Sequence, residues 1–279
     1  MSLPDPKYLH PSIPPWTMEL YRQFEQACQS GVLANVAELV DTEPRSPEYL
    51  TQGLCAAIFK NNVQIVEFLL NKGAAIDRGV PMAAAQVKSL PIFRLLLEHG
   101  WDINASVIAN RTVLPSILDD EQLVRWFLEH GAQIDPAPPS SELSYGNALT
   151  TTSSVCLDIA ASTSSTAVFD LLLEHGAIKA NSIPLHSAAG TGMDEERIPM
   201  MAHLIEAGYD VNATDEVKKN RTIGTPLHYA IRAQSLAKVK FLLERGADPH
   251  KPVGLAGSPF KMAERMGTDQ FVSLLKQYP

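Results

Sequence analysis

The chain has 279 residues, of which 45% are hydrophobic and 19% are charged, a composition typical of folded globular proteins and unlike that of disordered chains. Lys and Arg number 23 against 31 Asp and Glu, and the net charge of -8 argues against nucleic-acid or membrane-surface partners. Three widely spaced cysteines argue against a disulfide framework and a paired-cysteine zinc site.

The N-terminal stretch LPDPKYLHPSIPPW belongs to a segment with five prolines in its first fifteen residues. Proline fixes the backbone and removes an amide donor, so we expect residues 1–18 to form an extended, non-helical extension. It is either a disordered tail or a segment that lies along a groove, with Tyr8 and Trp16 as anchors. No secretory signal and no run of about 18 apolar residues occurs, so we expect a cytoplasmic protein, with the nucleus as a second location.

A short pattern that ends in glycine recurs along the rest of the chain. It reads FLLNKG at Gly73 and FLLERG at Gly246, and the copies between them end at Gly100, Gly131, Gly176 and Gly208. Counting back from each glycine places the starts of six repeats at Gln52, Gly79, Asn110, Val155, Ile183 and Thr225, with degenerate copies at Arg22 and Ser258. The starts recur on average about every 34 residues, which indicates a repeat protein.

Each repeat predicts two short helices, and the copy at Thr225 is the clearest. Thr225 is a good helix N-cap, and Pro226 suits the first helical position. Apolar residues follow at helical spacing: Leu227, Ala230 and Ile231, then Val239, Leu242 and Leu243. Gly246 ends the second helix, because a left-handed backbone costs glycine little. Such a short pair cannot bury its apolar face alone, so neighbouring repeats must stack.

These features resemble the ankyrin-repeat family. The resemblance rests on TPLHYAI, IPLHSAAGTG, VCLDIAAS and the six glycine endings, and it covers roughly residues 19 to 277. It implies an all-α solenoid over residues 19–279, with about eight helix-turn-helix units, degenerate end caps and a curved concave groove. The Thr-Pro-Leu-His opening is complete only at Thr225–His228 and is eroded to QGLC, GVPM and RTVL towards the N-terminus.

Three histidines, His99, His130 and His175, each precede a helix-ending glycine. A metal-binding row would need shared ligation at about 2 Å, whereas stacked helices lie about 8 to 10 Å apart. We therefore expect solvated helix ends, where the imidazole complements the helix dipole, and no metal or cofactor.

The fourth position of the motif carries Asp158, His186 and His228 in three successive repeats. The resemblance implies that this histidine braces the turn through hydrogen bonds to the motif threonine and to nearby backbone. Ile183 replaces that threonine beside His186. Asp158 and His186 therefore also remain candidates for an acid–base pair, if a loop closes over them.

Two joints between repeats are longer than a repeat requires. They read AQIDPAPPSSELSYGNALTTTSS after Gly131 and YDVNATDEVKKNRTIG after Gly208. The resemblance implies that such joints are projecting fingers that border the groove, and long loops of this kind are either functional or disordered. A third insertion, GTGMDEERIP at 190–199, adds acidic charge to the turn between the two helices of one repeat.

The resemblance also implies which positions face the groove, and several carry aromatic or arginine side chains, the types that anchor interfaces. The candidate binding residues are Phe59, Arg78, Gln86, Ile117, Tyr229 and Arg232, with Trp101, Arg111 and Tyr145 on nearby fingers. An ordinary structural role is at least equally expected for any one of them.

Two functions from different classes remain open. The first is a non-enzymatic module or adaptor that binds a protein partner through the groove and the fingers, and the net charge of -8 favours a partner with a basic face. The alternative is a small-molecule-binding protein or an enzyme of the cyclase or isomerase type, with an apolar ligand in a closed pocket and Asp158 and His186 as acid and base. No phosphate loop, HExxH or GxSxG motif occurs, which disfavours catalysis. The alternative gains if the two long fingers pack over a cavity.

Overall fold

A computed structural model describes residues 15–41, 46–107, 111–134, 155–180, 182–192, 195–215 and 223–278. The chain forms two compact units that divide between Ser116 and Ile117. Within the described ranges, regular structure consists of helices and 3-10 turns without strands, apart from isolated bridge positions at Arg111, Val253 and Gly257.

The described residues of the first unit contain three helical pairs. They are α1 (Pro15–Ser30) with α2 (Leu33–Asp41), α3 (Pro47–Phe59) with α4 (Val63–Asn71), and α5 (Gly79–Val87) with α6 (Leu90–Glu98). The first helices of successive pairs pack on one another, α1 on α3 and α3 on α5. The core of this unit includes the fully buried Phe24, Leu54 and Ile58 on the first helices and Phe93 on α6.

The second unit begins, after residues 117–120, with a single helix and continues as four helical pairs in its described residues. The single helix is α7 (Glu121–Glu129), and the pairs are α8 (Val155–Thr163) with α9 (Thr166–Glu174), α10 (Pro184–Gly190) with α11 (Ile198–Glu206), α12 (Pro226–Arg232) with α13 (Leu236–Glu244), and α14 (Pro259–Arg265) with α15 (Asp269–Leu275). Here α8 packs on α10, α10 on α12, and α12 on α14. Among the described helices of both units, none has the length and apolar character that crossing a membrane requires.

The six predicted glycine endings are confirmed. Each of these glycines has a positive φ, for example 88° at Gly73 and 88° at Gly246. The next residue donates its N–H back to a carbonyl of the last helical turn, as from Ala247 to Leu242 at 2.9 Å. This hydrogen bond and the left-handed glycine together form the helix-ending motif that satisfies the final carbonyls.

The helical starts differ from the prediction at two places. α1 begins at Pro15, so the expected extended backbone is wrong for residues 15–18, because a proline fits the first position of a helix. α3 begins at Pro47, ahead of the predicted Gln52, because Ser46 caps it by accepting the N–H of Tyr49 at 3.2 Å. Residues 1–14, with Tyr8, and the side chain of Trp16 lie outside the described part of the chain.

The repeat predicted from Asn110 has no first α-helix in its described residues. A 3-10 turn, Leu114–Ser116, takes its place. Pro115 lies inside this turn, and a proline lacks the N–H that a continuing helix needs.

Candidate functional site

His228 is fully buried and joins two repeats of the second unit. Its Nδ1 accepts the backbone N–H of Thr225 at 3.0 Å and lies 3.0 Å from the Thr225 hydroxyl. Its Nε2 donates to the carbonyl of Gly257 at 3.2 Å. Burial lowers the pKa of His228, which keeps the ring neutral and leaves Nδ1 free to accept. The bracing role that the resemblance implied is present at this residue.

His186 occupies the same position one repeat earlier, and it is buried. Its Nε2 lies 3.0 Å from the carbonyl oxygen of Ala213, and its ring meets the ring of Tyr229 edge-on, with centroids 5.3 Å apart. Burial lowers the pKa of His186 from 6.5 to about 4. The ring is therefore neutral at pH 7 and donates to the backbone of the following finger.

Asp158 braces this same joint from the preceding repeat. Its Oδ1 accepts the backbone N–H of Ile183 at 2.6 Å. Asp158 and His186 are therefore both placed at the joint where α10 begins, and each has a backbone hydrogen bond there.

Asp215 is completely buried, and the sequence analysis did not single it out. Its carboxylate accepts the N–H of Ile223 at 2.6 Å, the N–H of Gly224 at 2.9 Å and the hydroxyl of Tyr229 at 2.8 Å. The N–H of Asp215 also donates to the carbonyl of Gly224 at 3.1 Å. These bonds close the base of the long finger after Gly208, whose residues 216–222 lie outside the described part of the chain.

Tyr229, a predicted binding residue, is half-buried and tied to this finger base. Burial and the hydrogen bond to Asp215 raise the pKa of Tyr229. Its hydroxyl is thus a donor to an internal carboxylate, and its ring contacts the ring of His186.

Four other candidate binding residues are exposed: Phe59, Arg78, Gln86 and Arg232. Arg111 is exposed as well, and its carbonyl accepts the N–H of Val107 at 2.8 Å. Tyr145 and most of the finger after Gly131 lie outside the described residues.

Trp101 and Ile117 contradict the prediction, because both side chains are buried. Trp101 directly follows Gly100, at the position where a helix-ending turn packs an apolar side chain, and its ring stacks on Phe93 with centroids 5.8 Å apart. Ile117 follows the 3-10 turn that replaces the expected helix, so it enters the core. Neither presents a surface for binding.

The exposed candidates share a structural position. A residue with positive φ stands in the turn between the first and second helices of several repeats, among them Gly31, Asn61, Lys88 and Gln234. The residues two positions earlier are Gln29, Phe59, Gln86 and Arg232, and all four are exposed. In the first unit α1, α3 and α5 stack, so Gln29, Phe59 and Gln86 form a row, called here the helix-end row.

Two apolar residues that the sequence analysis missed stand beside this row. Val32, in the turn after α1, and Leu33, at the start of α2, are 47% and 37% exposed, and Phe59 is 47% exposed. The two turns are held together by Asn62, whose Nδ2 donates to the carbonyl of Cys28 at 3.0 Å. In the sequence, Val32 and Leu33 directly follow the turn glycine Gly31. Apolar residues at such a place are equally expected for side chains that pack in the core, so the pattern did not single them out.

The three histidines at helix ends hydrogen-bond their own helices. Nδ1 of His99, His130 and His175 lies 2.8, 2.7 and 2.9 Å from the carbonyl oxygen four residues earlier. The predicted helix-end role therefore takes the form of a direct contact with the last carbonyls. Among the described residues, no three histidine, cysteine or carboxylate side chains are grouped closely enough to hold a metal ion.

The inserted turn after α10 is held by two cations that the sequence analysis did not identify in this role. Lys238 is fully buried, and its Nζ donates to the carbonyls of Ala188, Thr191 and Gly192 at the end of α10. Arg197 donates to the carbonyl of Ser164 at 2.7 Å, at the end of α8. Positive charge complements the negative end of each helix dipole.

Asp158, His186 and His228 lie in a part of the chain that resembles known proteins. The family description "Ankyrin repeats (3 copies)" matches residues 157–252. Residues 157–252 are thus similar to ankyrin repeats. An ankyrin repeat protein of Rickettsia bellii (strain RML369-C) is 30% identical over 93 residues, which cover 33% of this chain and 48% of that protein.

Solved ankyrin structures extend this likeness along the chain. The crystal structure of the ankyrin repeat domain of Bcl-3, titled a unique member of the IkappaB protein family, is 25% identical with a TM-score of 0.51, and the match covers 80% of this chain and 98% of that one. The human ASB11 ankyrin repeat domain is 22% identical with a TM-score of 0.50, over 71% and 82% of the two chains. The predicted all-α ankyrin-repeat solenoid is confirmed. Ankyrin repeat domains generally mediate protein–protein interaction.

Proposed function

We propose that this chain is a non-enzymatic interaction module that binds a partner protein through the exposed ends of its first helices and through its finger loops. The observation that carries the proposal is the helix-end row, with Phe59 at its centre and Val32 and Leu33 beside it. An apolar centre flanked by polar Gln29 and Gln86 has the anatomy of a protein interface, in which an aromatic anchor is surrounded by a polar rim.

Burial of Phe59 by a partner would also contribute to the free energy of binding. Water contacts about half of its side chain, and burying apolar surface contributes about 25 cal/mol per Å². A phenylalanine at the end of a helix, with its backbone already fixed, loses little further freedom on binding.

The other exposed candidates extend this proposal as polar contacts. Arg232 holds in the second unit the position that Phe59 holds in the first, and Tyr229 lies one helical turn before it. Arg78 precedes α5, and Arg111 lies in the following joint. Arginine binds carboxylates through a planar fork, so these residues suit acidic or carbonyl groups of a partner.

The histidine joint favours this function over the enzyme alternative. Asp158 accepts a backbone N–H through Oδ1 and His186 bonds a backbone carbonyl through Nε2, so one proton-transferring atom of each residue is engaged in structure. A histidine with a pKa of about 4 is also a weak base at neutral pH, where a general base works best with a pKa near the ambient pH.

A photo-crosslinking amino acid in place of Phe59 tests the proposal in the protein's own host. We expect a discrete crosslinked polypeptide that an excess of unlabelled wild-type protein displaces and an excess of Phe59→Ser does not. The matched control is the same amino acid in place of Ile178, which is 51% exposed in the second unit. No crosslink from position 59, or the same crosslinks from both positions, contradicts the proposal.

A further inference from the structure

The loop between α13 and α14 carries a fully exposed leucine, Leu255, at its tip. Residues 253–257, VGLAG, form a tight finger, and Leu255 at its tip is more exposed than any other large hydrophobic side chain in the described residues. Single exposed apolar residues are common on protein surfaces, so exposure alone assigns no role.

The backbone around Leu255 is held in place from several sides. The N–H of Val253 donates to the carbonyl of Gly257 at 2.8 Å, and the N–H of Ala256 donates to the carbonyl of Val253 at 2.9 Å. His228 and Arg265 donate to the carbonyls of Gly257 and Ala256. A side chain on a loop fixed in this way loses little entropy when it is buried by a partner.

Positive charge surrounds this finger in a chain whose net charge is -8. Lys261 and Arg265 lie four residues apart on one face of α14, and a Cβ on Gly257 would lie 3.8 Å from Lys261 Cβ and 3.9 Å from Arg265 Nη2. Lys251 approaches from the other end of the loop, with its Nζ 2.8 Å from the carbonyl oxygen of Asn212. None of these three cations forms an ion pair with a carboxylate of the described residues.

We propose that the C-terminal finger, defined as residues 251–257 with Lys261 and Arg265, is a second docking surface that takes an acidic segment of a partner protein. The partner's apolar side chains surround Leu255, and its carboxylates face the three cations. Charge complementarity selects the partner and speeds the encounter, whereas burial of the leucine holds it. The inference rests on the proposed function, to which it adds a surface and the chemistry of the partner.

The test selects random-sequence displayed peptides on the whole chain and measures their affinities. We expect the selected peptides to be rich in Asp, Glu and large apolar residues, and to lose affinity at least about tenfold on Leu255→Ser. Lys261→Glu should weaken them about threefold to tenfold and flatten their dependence on salt, because it reverses one charge beside the tip. Leu236→Ser is the matched control, since Leu236 is an exposed leucine at the opposite end of α13 and should leave the affinity unchanged.

The possible results separate this inference from the proposed function. Failure to select any peptide, selection of non-acidic peptides, or equal binding to Leu255→Ser overturns the finger as an acidic-segment site. Acidic peptides that are lost on Phe59→Ser and retained by Leu255→Ser overturn it too, while supporting the helix-end row. An unchanged melting temperature of Leu255→Ser shows that any lost affinity comes from the contact, because the side chain packs against nothing in the fold.

Discussion

The joints at His186 and His228 lie one repeat apart. Each has a buried histidine at the same position of the motif, but the hydrogen bonds around the two histidines differ. At His228 the N–H of Thr225 donates to the ring of the same repeat at 3.0 Å. At His186 the equivalent residue is Ile183, and its N–H donates to Asp158 of the preceding repeat at 2.6 Å. Each ring reaches a backbone carbonyl of the next finger through Nε2.

This difference teaches that the repeats keep the hydrogen bonds and change the residues that make them. Leaving a buried N–H without an acceptor costs about 1 to 3 kcal/mol, so a joint in which the N–H does not donate to the histidine ring needs another acceptor. Asp158 stands where its own repeat would carry the motif histidine, and it supplies that acceptor. The eroded motif is therefore compatible with an intact fold.

Gly224→Ala should break the His228 joint and have the largest effect. Gly224 has a φ of 135°, and an added Cβ would lie 2.5 Å from Nδ1 of His228. We expect the free energy of unfolding in urea to fall by roughly 2 to 5 kcal/mol, because backbone strain and a steric clash add. Gly246→Ala is the control: φ is 88° but no atom lies within 4 Å of the added Cβ, so the loss should be about 1 to 2 kcal/mol. Equal losses would count against the clash.

Mild acid should weaken the His186 joint. The folded pKa lies at about 4 and the unfolded pKa at 6.5, so between these values the unfolded state binds more protons and stability falls as the pH falls. The contribution is fully present above the unfolded pKa, and its loss on reaching the folded pKa is on the order of 3 kcal/mol. Urea unfolding of His186→Gln across this window should give a shallower pH dependence. A profile identical to that of the wild type would refute the assignment.

Asp158→Ala should remove the acceptor that takes the place of the histidine ring nitrogen at the His186 joint. We expect a loss of about 1 to 2 kcal/mol in the free energy of unfolding, since the N–H of Ile183 is left without this bond. Adding Ile183→Thr to this variant should recover part of the loss, because its hydroxyl can bond Nδ1 of His186 as the Thr225 hydroxyl lies 3.0 Å from Nδ1 of His228. Without such recovery, the two joints are not equivalent.

Thr225→Val should have the smallest effect of the four. It deletes the hydroxyl that lies 3.0 Å from His228 Nδ1 and leaves the backbone N–H in place. The expected loss is about 0.5 to 1.5 kcal/mol by thermal or urea unfolding. Thr166→Val, at the start of α9, serves as the control and should change stability by less than about 0.5 kcal/mol.

Local patterns in the sequence were enough to predict the repeats. The glycine endings, the caps and the spacing of apolar residues act within one repeat, so they predicted the helical pairs and the roles of Gly246 and His228. Trp101 was also within reach of such reasoning, because the residue after a helix-ending glycine packs inwards in this motif, as Ala74 and Ala247 do.

Contacts between repeats could not be predicted in the same way. Lys238 lies on α13, where a lysine predicts a solvent-exposed side chain. It is buried instead, and the carbonyl oxygens that it bonds belong to residues 46 to 50 positions earlier in the sequence. Asp215 binds the N–H groups of Ile223 and Gly224 across a loop whose closure no local pattern predicts. Such partners become visible only once the repeats are stacked.

Native mass spectrometry of the protein purified from its own host, beside a denatured control, tests the central claim most directly. The interaction module predicts a native species heavier than the chain by one polypeptide, which is lost from the Phe59→Ser sample and from the denatured control. A retained small molecule without a bound polypeptide, equally present in wild type and Phe59→Ser, would contradict the claim and favour a ligand-binding function.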